Sequence, residues 1–76
     1  MTIDINNYTN ALTNFYKAAA EWKFACNTNN EKNTEFLKEL KKKALLLREE
    51  LKHLPIDMQR PMVLEHIEKA LNIKES

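Results

Sequence analysis

The sequence predicts an all-α protein, an antiparallel helical hairpin of two long helices with a shorter third helix, forming one small helical bundle over residues 1–76. Three observations predict it: two long apolar repeats at helical spacing, a glycine-free chain whose strongest turn signal lies between those repeats, and two prolines that separate off a third amphipathic segment.

The first repeat runs Ile5, Tyr8, Leu12, Phe15, Ala19, Trp22, Cys26, alternating steps of three and four. That spacing puts the side chains on one face of a helix over about 5–26, as lengthwise packing on a partner helix requires. Asp4 or a neighbouring asparagine is placed to cap its start. Asn27, Thr28, Asn29 and Asn30 follow, and asparagine tolerates the left-handed conformation that ends helices, so a tight turn is expected here. Thr28 with Glu31 matches a capping box, and Asn30 with Asn33 offers a second cap.

The second repeat, Leu37, Leu40, Ala44, Leu47, Leu51, Leu54, has the same alternation, with Phe36 widening it, and predicts a helix over about 31–54 that ends at Pro55. At 1.5 Å per residue each long helix would span about 33 Å, and so short a link folds them antiparallel. Pro61 suits the first turn of a third helix over about 60–72, whose apolar residues are Val63, Leu64, Ile67, Ala70 and Leu71. Met58 and Met62 are expected to fill gaps against it, and Lys74 to Ser76 to fray. Leu12, Phe15, Leu40 and Leu47 are the expected centre of the core.

A chain of this length buries only about 60% of its unfolded surface, and one cysteine allows no internal disulfide. Idealised helix packing or self-association is therefore the expected source of stability, with a homodimer the expected assembly if the chain associates. Cys26 reads as a small buried hydrophobe in a reducing compartment. The stretch from Met1 to Tyr8 lacks the basic start and apolar run of a signal peptide, and no segment is apolar over some 18 residues, so a cytoplasmic location is expected.

Nothing in the chain reads as catalytic machinery. Phosphate-cradling loops and nucleophile elbows need residues that tolerate positive φ, and there is no glycine. His53 and His66 fall on different predicted helices without a second ligand at metal spacing, and read as solvated. Glu49 with Glu50, and Glu65 with Glu68, read as wet helix surface, and the hydroxyl residues stand in no recognisable triad motif. The expectation is a protein that is not an enzyme and carries no cofactor or metal.

Two surface features remain. The net charge is only +1, yet Lys38, Lys41, Arg48 and Lys52 form a basic strip on the second helix, with Leu45 between them. From Lys38 to Arg60 there are seven basic residues against four acidic ones. The bland reading is a solvated amphipathic face interrupted by Glu39, Glu49 and Glu50; the sharper one is weak nucleic-acid contact. Apolar residues outside the two repeats, Tyr16, Phe24, Phe36, Leu45 and Leu46, exceed what a hairpin buries, and Phe24, Leu45 and Leu46 are the candidates for contact with a larger protein.

Nine asparagines, ten lysines against two arginines, the absence of glycine and a short frame opening on Met1 give the chain the look of a small reading frame from an AT-rich phage genome. From the Ile5 to Cys26 repeat through Leu71 it resembles the small companion frames beside the UvsW recombination helicase of T-even phages. That resemblance implies an accessory role around phage recombination, repair or replication in the host cytoplasm, with a branched-DNA helicase or DNA itself as partner. It assigns no site residues.

Overall fold

The computed structural model describes residues 5–74, and within them the chain forms three α-helices: α1 (Ile5–Asn27), α2 (Asn33–Lys52) and α3 (Pro61–Asn72). A 3-10 turn, Ile56–Met58, lies between α2 and α3. The expected cap at Asp4 and the expected fraying at Glu75 and Ser76 lie outside the described residues.

Asparagine replaces glycine as the device that stops α1. Asn29 adopts φ 54°, the only positive φ among the described residues. Its amide donates to Cys26 O at 3.2 Å, while the Asn30 amide reaches back to Ala25 O at 2.9 Å. These are the paired bonds of a Schellman ending, which satisfy carbonyls the helix leaves open. Thr28 serves the same end: its hydroxyl donates to Phe24 O at 2.9 Å and Ala25 O at 3.3 Å. The expected capping box with Glu31 therefore does not form, because Thr28 is already committed to α1.

The Asn30 side chain accepts the Lys32 amide at 2.9 Å, an Asx turn that precedes α2 rather than capping it. Lys32 stands at the N-cap with no side-chain cap bond, and α2 begins two residues later than the spacing suggested. At its other end Leu54 has left the helix but stays buried. Its carbonyl accepts from Gln59 Nε2 at 2.9 Å, so the corner at Pro55 is closed by a side chain supplied from beyond it. Pro61 occupies the first turn of α3, with Arg60 extended before it at φ −102°, ψ 123°.

α2 is the central element: α1 packs along it and α3 packs mainly on it. Leu37, Leu40, Ala44, Leu47, Leu51 and Leu54 are all buried, as their repeat predicts, and join Phe15, Ala18, Val63, Ile67 and Ala70 in one core cluster. Leu47 and Ile67 are wholly enclosed.

The buried face of α1 takes in the predicted repeat and the column beside it. Phe15 is buried and Tyr8, Leu12, Ala19 and Trp22 pack partly buried against the core, but Ala18 and Ala25, outside the repeat, are buried too, in line with the partly buried Ala11 seven residues before Ala18. Cys26 is exposed. A repeat of 3.5 slips about 20° per heptad against a helix of 3.6 residues per turn, so two adjacent columns compete for the inner face. The small side chains take it at the turn end, and Cys26 is left outside.

Three other expectations are corrected. Leu64, expected on the apolar face of α3, is 39% exposed, because it follows the buried Val63 by one residue and points about 100° away from it. Met58 and Met62 fill no gap in the core: both are exposed. Met62 immediately precedes the buried Val63 and so points about 100° away from it, and Met58 sits in the 3-10 turn at the corner. His66 is half-buried rather than solvated, and its Nδ1 is hydrogen-bonded to Tyr16 Oη of α1 at 2.9 Å.

The molecule measures 46 × 19 × 15 Å, with a radius of gyration of 13.4 Å. A compact globule of this length would have a radius near about 11 Å. The excess reflects a hairpin that the shorter α3 covers along only part of its length, which leaves apolar side chains in water.

Candidate interaction surfaces

Apart from Tyr16 and Leu64, each just under two-fifths exposed, the large exposed apolar residues among those described fall in three places. At the turn end, Phe24 is 68% exposed and shares a shallow groove with Ala20, Ala25 and the half-buried Phe36. Midway along α2, Leu45 and Leu46 are each about half exposed. Being consecutive on a helix they point about 100° apart, and Leu45 lies about 14 Å along the axis from Phe36. The candidate contact residues Phe24, Leu45 and Leu46 are thus all accessible but do not converge on one patch.

The third place is the corner between α2 and α3, where Ile56 is 83% and Met62 65% exposed, with Met58 beside them. Met58 and Met62 line an open groove of ≈ 850 Å³ together with Tyr8, Leu54, Asp57, Arg60, Pro61 and Val63. Its sequence signal was a segment bracketed by Pro55 and Pro61 that holds two large apolar residues, Ile56 and Met58, too short to form a long helix of its own and followed at once by Met62. Reading the methionines as gap fillers hid it.

The basic strip lies along one side of α2, with its four residues within about 80° of arc and about 21 Å of axis. Lys38 and Lys52 are exposed; Lys41 and Arg48, nearer the buried face, are half-buried. Lys52 pairs with Glu49 at 3.4 Å, a solvated (i, i+3) pair of small energetic weight. Arg48 Nε is buried and makes no hydrogen bond among the described residues. A half-buried guanidinium lays its stem along apolar surface and has less freedom to follow a phosphate backbone than an exposed one. The strip is a real arrangement, but two of its four charges are partly drawn into the fold.

Between α1 and α3 a third concavity is crossed by the Tyr16–His66 pair, whose rings meet edge to face with centroids 5.7 Å apart. Among the described residues no three His, Cys, Asp or Glu side chains are grouped to hold a metal ion. No helix of the described residues is long and apolar enough to cross a membrane.

Comparison with protein-family models, with curated proteins and with solved structures found no match.

Proposed function

We propose that this chain is a small, non-enzymatic interaction protein that docks onto a larger protein through the corner formed by Ile56, Met58 and Met62. The observation that carries it is the open groove lined by Met58 and Met62, 40% and 65% exposed, with Ile56, 83% exposed, in the adjoining 3-10 turn. Burying one such side chain is worth about 1.5–3 kcal/mol, so a cluster left in water is a standing source of binding energy. Methionine adapts its shape to a partner more readily than a branched side chain does. Phe24, Leu45 and Leu46 are further accessible positions, each able to contribute to a second edge of contact.

The resemblance to the companion frames of the UvsW helicase names the partner to try first, a branched-DNA helicase of phage recombination, repair or replication. On this proposal the compartment is the host cytoplasm, where the exposed thiol of Cys26 stays reduced. The test is a pull-down of such a helicase by the wild-type chain and by an Ile56→Asp, Met62→Asp variant. Both positions are exposed, so the helical circular dichroism should persist while capture falls at least about tenfold. Equal capture by the variant would remove the corner from the interface.

A second proposal rests on the alignment of Lys38, Lys41, Arg48 and Lys52 along one side of α2: weak contact with nucleic acid, doubled if the chain dimerises. Its signature is an affinity that falls with salt, with a slope reduced when Lys38 and Lys52 are neutralised. Self-assembly into a larger helical bundle is distinguished by sedimentation, as a mass that rises with concentration.

A further inference from the structure

The crevice between α1 and α3 lies apart from both the docking corner and the basic strip. α3 packs mainly on α2, and the space left between it and α1 has a volume of ≈ 280 Å³. Phe15 and Trp22 from α1 and Ile73 from the end of α3 give it apolar walls. The hydrogen bond between Tyr16 Oη and His66 Nδ1 spans it, linking the two helices there. Lys23 of α1 and Lys69 of α3 also line it. Both lysines are exposed, and neither makes an ion pair or hydrogen bond among the described residues.

We propose that this crevice binds a compact aromatic anion, a carboxylate carried on one or two fused rings. The size follows from the volume: a cavity of about 150 Å³ accepts benzene, and a space nearly twice as large accepts a bicyclic ring. Aromatic specificity follows from the walls, since Tyr16 and Trp22 offer accessible ring surface that pairs with another ring at centroid distances of about 4.5–7 Å, with the buried Phe15 behind them. The preference for an anion follows from Lys23 and Lys69, one on each helix. Two unpaired ammonium groups beside an apolar slot complement a ligand that is apolar at one end and negative at the other. A ligand seated there would bridge α1 and α3, the least directly packed pair of helices in the fold.

The test is an amide chemical-shift titration of the full chain with 1-naphthoate, run beside the neutral 1-naphthalenemethanol and followed in parallel by the fluorescence of Trp22, the only tryptophan. Saturable shifts grouped at Ala19, Lys23, His66 and Ala70 are expected, with naphthoate binding about tenfold more tightly than the alcohol. A Lys23→Gln, Lys69→Gln chain should lose a similar factor for naphthoate and none for the alcohol, with unchanged melting because both lysines are exposed. Shifts that never saturate, equal binding of acid and alcohol, or shifts grouped at Ile56 to Met62 would each overturn the proposal. Since the docking corner is untouched by these substitutions, failure here leaves the docking proposal standing, and the reverse holds.

Discussion

Tyr16 Oη lies 2.9 Å from His66 Nδ1, a hydrogen bond between residues fifty positions apart that ties α3 to α1 across the flank of the hairpin. The same tyrosine packs a tilted ring on Phe15, 5.2 Å between centroids, so the tie runs from the core to the surface. Tyr16→Phe keeps the ring contacts and removes the hydroxyl. It should cost about 0.5–1.5 kcal/mol in chemical denaturation and raise hydrogen exchange in α3 more than in α2. Unchanged protection of α3 would mean the bond does not hold that helix in solution.

Leu47 is wholly enclosed at the middle of α2, in the cluster that joins all three helices. Leu47→Ala should cost about 2–5 kcal/mol, a large fraction of the stability of so small a domain. The melting temperature of the variant checks this directly. Leu12→Ala should cost clearly less, because Leu12 is only half-buried at the flank of α1.

Asn29 carries the positive φ that ends α1. A residue with a Cβ and no polar side chain pays about 1–2 kcal/mol in the left-handed region, so Asn29→Ala should lower stability by about 1 kcal/mol. Asn29→Gly should match or exceed the wild type in the same thermal melt. A destabilised glycine variant would show that the asparagine side chain, rather than the backbone angle, is what the turn requires.

Arg48 has a buried Nε without a hydrogen-bond partner among the described residues. An unsatisfied buried donor costs about 1–3 kcal/mol, so Arg48→Met, which keeps the apolar stem, should leave stability unchanged or raise it. Denaturant unfolding measures the effect. A loss of more than about 1 kcal/mol would show that the guanidinium holds structure through its terminal nitrogens.

The parts of the fold that could be read in advance are those where one chemistry excluded the alternatives. On α2 the leucines supply one column of large apolar side chains, and every member of Leu37, Leu40, Ala44, Leu47, Leu51 and Leu54 is buried as spaced. On α1 two adjacent columns are both apolar, and the three-four spacing favoured Cys26 over Ala25 although packing chose the alanine. What decides between them is how closely the partner helix approaches, a tertiary quantity absent from local spacing. The corner at Ile56 to Met62 was misread for a related reason, since an apolar residue next to a buried one is equally consistent with core and surface until the rotation of α3 is known. The Tyr16–His66 tie has no local signal at all, because its partners meet only once all three helices are in place.

The most direct test of the central claim is a titration of the isotope-labelled chain with a branched-DNA helicase of the UvsW type, read as loss of amide signal residue by residue. Docking through the corner predicts that signals from Leu54 to Leu64 are lost first, while those from Lys38 to Lys52 persist and moderate salt changes little. Loss confined to Lys38 to Lys52 and reversed by salt, or no loss at any residue, would contradict it.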